Sequence, residues 1–183
     1  MATLASVASV ASVPQLITLE EYLSTSYEPD LEFVDGVLEE KNMGDYEHGF
    51  LQAIITHWFV AHRAEWKINV LTEYRTRTAN LSVRLPDICV VRQDDPVERV
   101  RVTAPLLCIE VLSPDDRPGR VMSRLNEFVA MGTEHLWILD PSDRSAYTYS
   151  RSGMKLLAGT RLGIPDSPIY LDVAAMFATL DEG

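Results

Sequence analysis

The chain has 183 residues, 46% hydrophobic and 23% charged, with a formal net charge of -11. That length suits one folded domain with a sizeable core. The acid excess excludes a broad electrostatic footprint for nucleic acid and leaves room only for a local basic patch, because charges are screened over about 8 Å at physiological salt.

Residues 1–14 repeat Ala-Ser-Val and carry no charge. They lack the basic start and long apolar core of a secretory signal. They read as a disordered tail, with residues 15–183 as a single domain. Thr18, followed three residues later by Glu21, is a capping box for a short helix over Leu19–Leu23. Asp35-Gly36 supplies the positive φ angles of a tight hairpin between Leu31–Val34 and Val37–Glu40. Glu32 on the first of these strands is either the solvent-facing member of an alternating pattern or a residue aimed into a cleft.

From Glu47 to Trp66 apolar residues recur at spacings of three and four, with Asp45 as N-cap, and a helix is expected there. His48 falls on its apolar face, where a hydrogen-bonded structural role competes with a ligand role. Strands are expected over Asn69–Tyr74 and Ser82–Val91, with a polar loop over Arg92–Val102. Pro105–Leu112 is a continuous apolar run, as a strand buried on both faces would be. Pro118 suits the first turn of a helix and Gly132 its stop, with Val121, Leu125 and Phe128 on the core face. His135–Leu139 is another buried strand. Further antiparallel strands at Ser145–Ser150, Lys155–Leu157 and Tyr170–Leu171 precede a closing helix over Val173–Leu180. The pattern is α/β (α+β): a central mixed β-sheet flanked by helices, with an N-terminal β-hairpin. No apolar run approaches the roughly 20 residues of a membrane span. Cys89 and Cys108 fall in strands without metal or redox spacing, and read as free thiols of a cytoplasmic protein.

Asp87 and Glu110 sit in or beside these apolar runs, where an unpartnered carboxylate costs several kcal/mol or more. Neighbouring strands lie about 4.8 Å apart, so both can converge on one divalent ion, and hard cations such as Mg²⁺ (or Mn²⁺) take carboxylate oxygens. Arg124, at the border of the apolar face of the following helix, can reach back over the strand ends, or simply snorkel. A basic patch could draw on Arg75, Arg77 and Arg84, then Arg117, Arg120 and Arg124.

In this order, Leu31–Gly36, His48-Gly49, Arg84–Ile88, Cys108–Pro114, Glu127–Gly132 and Trp137–Pro141 together resemble the Uma-type restriction endonucleases of the PD-(D/E)XK nuclease superfamily. The resemblance runs from about Ile17 to about Leu180. It implies a restriction-endonuclease-like fold, a Mg²⁺-dependent phosphodiesterase site and DNA as substrate, with a homodimer as one way to cut both strands. It assigns Asp87 and Glu110 to the metal, and Glu32 and His48 to the same cleft. The family's lysine on the helix after the Glu strand is here Arg124, and the place two residues after Glu110 is Leu112. Arginine stays protonated at any usable pH. Arg124 can therefore stabilise charge on a phosphate without acting as a base, and catalysis is expected to be slowed. A catalytically silent protein of this fold, binding nucleic acid or a partner protein, is the alternative.

Overall fold

A computed structural model describes residues 16–41, 44–79 and 82–182, and the tail expected over residues 1–14 lies outside them. Helix α1 (Leu19–Ser24) begins at Thr18, whose Oγ1 accepts the Glu21 amide at 3.1 Å and satisfies a free donor of the first turn. Asp35 and Gly36 take φ of 49° and 87°, and join β1 (Leu31–Val34) to β2 (Val37–Glu40) in antiparallel register. Helix α2 (Tyr46–Ala61) starts at Asp45, which accepts the His48 amide at 2.9 Å. The helix expected to continue to Trp66 breaks at His62. A one-turn α3 (Arg63–Trp66) follows, closed by Lys67 in the left-handed conformation at φ 53°.

The next segment departs from the sequence reading. After β3 (Ile68–Thr72), a strand β4 (Thr76–Ala79) lies where none was expected. The single strand expected over Ser82–Val91 is two, β5 (Ser82–Arg84) and β6 (Ile88–Arg92), in different sheets. Pro86 lies at the break. It has no amide to give a ladder, and the chain crosses there from one sheet to the other. Then come β7 (Leu107–Val111), α4 (Pro118–Met131) with Pro118 in its first turn, and Gly132 as a left-handed C-cap at φ 100°. Strands β8 (His135–Asp140), β9 (Ser145–Ser150), β10 (Gly153–Leu156), β11 (Arg161–Gly163) and β12 (Tyr170–Asp172) lead to α5 (Val173–Glu182).

The central sheet has the order β10-β9-β8-β7-β6-β3. It is mixed: β7 and β8 run parallel and the other neighbours antiparallel. Helices α2 and α5 pack on one face through Leu51, Ile55, Phe59, Met176 and Phe177. Helix α4 packs on the other through Val121, Leu125 and Phe128, each side chain contributing about 1.5–3 kcal/mol on burial. A smaller sheet, β2-β1-β5-β4, has its own core of Tyr22, Phe33 and Val83. No helix among the described residues is long and apolar enough to cross a membrane. Cys89 and Cys108 are free and buried, directly opposite each other on β6 and β7.

Candidate functional site

Side chains alternate along a strand. Ile88, Val90, Ile109 and Val111 enter the core under α2 and α5, while Cys108 enters the core under α4. Asp87 and Glu110 therefore belong to the α4 face. The antiparallel register pairs Ile88 with Ile109 and Cys89 with Cys108, and one step further along it Asp87 faces Glu110. Both are buried, at 1% and 0% exposure. The two acids that looked anomalous in the sequence are neighbours at one end of two strands.

Three other elements close around them. The Lys41 Nζ, just past β2, lies 2.6 Å from Asp87 Oδ1. His48 Nε2, in the first turn of α2, lies 3.3 Å from Asp87 Oδ2, which also accepts the Val111 amide at 2.7 Å. Gln52, one turn further along α2, donates to the Asp87 carbonyl at 3.0 Å and pins the backbone there. Arg124 reaches from α4 to place a guanidinium nitrogen 3.0 Å from Glu110 Oε2.

These surroundings drive the two carboxyls apart. Burial opposes the charge on Asp87, but Lys41, His48 and Arg124 outweigh it and hold the group well below the usual carboxylate range. Burial also dominates at Glu110, with Arg124 offsetting it only in part, and pushes that carboxyl up to about 8. Asp87 thus ionises far more readily than Glu110, whose charged form relies on the Arg124 guanidinium 3.0 Å away. Such a split between adjacent acids is a frequent mark of a functional site. Burial works against charge on His48 too, and the Asp87 hydrogen bond overrides it and raises the imidazole above its ordinary value.

A family model described as "Uma2: Putative restriction endonuclease" matches residues 19–164, well over half of the chain. The chain belongs to the Uma2 family. A solved structure from Anabaena variabilis ATCC 29413, described as a "putative nuclease belonging to DUF820", superposes with a TM-score of 0.76 at 22% identity. The match covers 90% of this chain and 99% of that one, and at that identity it speaks for the fold. No curated protein matches the sequence.

In this Uma2 chain the expected site residues divide into two groups. Asp87, Glu110, Arg124 and His48 come together as described. Glu32 is not the solvent-facing member of its strand: it is 4% exposed and already engaged. It accepts Arg84 at 2.9 Å and the Leu85 amide at 3.0 Å, while Arg84 also binds Glu127 of α4. Arg84 therefore leaves the expected basic patch, because it is buried between two acids. Arg75 pairs with Asp30 at 3.0 Å, and Arg120 stands half-exposed 4.0 Å from Glu39. Sequence reasoning missed Lys41 and Gln52. A lysine ending a strand after two glutamates resembles any solvated residue, and only its place beside the hairpin that carries Glu32 hinted otherwise.

The residues fit a divalent cation in part. Glu110 Oε1 is buried with no hydrogen-bond partner, while Asp87 Oδ1 and Glu110 Oε2 are met by the ion pairs to Lys41 and Arg124. An ion would find one unpartnered oxygen and two held by side-chain cations. No cluster of three or more His, Cys, Asp or Glu side chains able to hold a metal occurs among the described residues. Two carboxylates completed by water and substrate phosphate is the donor set that Mg²⁺ commonly uses.

Proposed function

We propose that the protein is a divalent-metal-dependent DNA endonuclease, weakened by arginine at the family's lysine position. The observation that carries this reading is the placing of Asp87, just before β6, opposite Glu110 of β7. Their buried carboxylate oxygens are met by Lys41, Arg124, His48 and the Val111 amide, and Glu110 Oε1 has no hydrogen-bond partner. Asp87 and Glu110 would hold Mg²⁺ or Mn²⁺. When bound, such an ion polarises a phosphoryl oxygen and lowers the pKa of water. Arg124 donates to the phosphoryl oxygens as negative charge builds on them. His48 and the Val111 amide fix the Asp87 carboxylate in one orientation. Glu32 acts through Arg84, locking the hairpin and α4 around the cleft.

A second reading, a silent nuclease-fold binder of nucleic acid or protein, has its own support. Lys41 and Arg124 each neutralise one carboxylate, and the net charge of -11 opposes a polyanion. Nicking of supercoiled plasmid with Mg²⁺ or Mn²⁺ separates the two. The wild type is expected to nick slowly. Asp87→Ala and Glu110→Ala should lose at least about 10²–10³ in rate, the scale of one well-placed electrostatic group, and Arg124→Lys should match or exceed the wild type. Absence of cleavage by all four proteins, with retention of plasmid in a mobility shift, would establish the binder instead.

A further inference from the structure

We infer that Lys41 is an exchangeable internal counter-ion: its ammonium competes with a divalent ion for Asp87, and metal loading moves it onto Glu73. The inference rests on the metal-site reading above and adds a step to it. Its geometric basis is the placement of Lys41 Nζ between two carboxylates of opposite character. Asp87 Oδ1, 2.6 Å away, belongs to a side chain that is 1% exposed. Glu73 Oε1, 3.8 Å away, belongs to one that is 48% exposed. Glu73 stands just past β3, on the rim of the site.

The Nζ is buried, and among the described residues its close ion-pair partners are Asp87 and, further off, Glu73. One short charged contact holds it at Asp87, rather than the several bonds that three N–H donors could make. A small rotation of a flexible four-carbon stem carries it to the rim. Charge decides the matter in the same direction. Lys41 and Arg124 already match the full ionic charge of Asp87 and Glu110. A divalent ion added without a departure would leave a buried excess of two positive charges, which the low-dielectric surroundings penalise heavily. Arg124 is the poorer candidate to leave, because it is packed along α4 at the mouth of the site and its guanidinium is the phosphate donor. Lys41 has a carboxylate waiting for it. The departure also frees Asp87 Oδ1, the oxygen nearest the ammonium, for the incoming ion.

The test is Mn²⁺ binding alone, followed by electron paramagnetic resonance of the free ion at fixed ionic strength. It uses the full chain as wild type, Lys41→Met, Glu73→Gln and Asp87→Asn. Lys41→Met is expected to bind Mn²⁺ more than about tenfold tighter than the wild type, since one like charge is removed from the site. Glu73→Gln is expected to bind a few-fold weaker, and Asp87→Asn not at all. Equal or weaker binding by Lys41→Met, with the wild type still binding, overturns the exchange while leaving the metal site intact. No binding by any of the four overturns both. If Lys41→Met does not fold, the Lys41 side-chain NMR signal of the wild type is followed as Mg²⁺ is added. A shift that saturates with Mg²⁺ supports the exchange, and an unmoved signal overturns it.

Discussion

Asp87 organises the site more than any other residue, because three donors converge on its carboxylate and a fourth on its carbonyl. Asp87→Asn keeps a similar shape and an acceptor for the Val111 amide but removes the charge. Lys41 and His48 then lose their partner at low exposure. Breaking a buried pair from one side costs about 3–5 kcal/mol. The lower end applies, since Lys41 can turn to Glu73, which gives a drop of roughly 6–12 °C in Tm for a chain of this size. The sign with pH follows from the depressed Asp87 pKa. Its stabilisation is present above the ordinary value of 3.8 and is lost as pH falls through and below it. Thermal melts at pH 7 and pH 3 should therefore show a wide gap between wild type and Asp87→Asn at pH 7 that narrows at pH 3. A gap independent of pH would mean that the charge is not what stabilises.

At the scale of elements, one buried network joins the small sheet to the large one. Arg84 at the end of β5 binds Glu32 of β1 and Glu127 of α4, and Thr78 of β4 donates to the same Glu127 at 2.7 Å. Burial opposes ionisation of Glu127, but its hydrogen bonds from Arg84 and Thr78 outweigh it and hold its pKa down. Removing the guanidinium strands a fully buried glutamate and a partly buried one. Arg84→Ala should cost about 3–5 kcal/mol, measured by urea denaturation. Adding Glu32→Gln and Glu127→Gln should return most of that loss, because the uncompensated charges go with it. A single Arg84→Ala cost under about 1 kcal/mol, the scale of an exposed pair, would show that the network is solvated.

For the whole molecule, the uneven depth of the core sets where the fold opens first. Every residue of β7 is buried, and four of the six residues of β8, with helices on both faces of the sheet. Strand β2 is an edge strand with intermediate or exposed positions throughout. Local opening free energies follow such differences in burial. Hydrogen exchange should release the amides of β2 early and those of β7 and β8 last. The candidate site lies where these two regimes meet, with Asp87 and Glu110 on the rigid sheet and Lys41 at the end of the edge strand. Uniform exchange across β2 and β7 would count against the Lys41 side being the movable one.

What the sequence determined by itself is what short-range chemistry dictates. The Asp35-Gly36 turn, the Thr18 and Asp45 caps, Pro118 and Gly132 at the ends of α4, and the apolar runs of β7 and β8 each follow from a few adjacent residues. Asp87 and Glu110 were legible for a related reason: a charge inside an apolar run needs an explanation whatever the fold. Tertiary structure decided the rest. The break at Pro86, the capture of Glu32 by Arg84 and the approach of Lys41 to Asp87 depend on which strands become neighbours. Electrostatic energy depends on distance in space and on burial, and spacing along the chain fixes neither once the partners lie on separate elements.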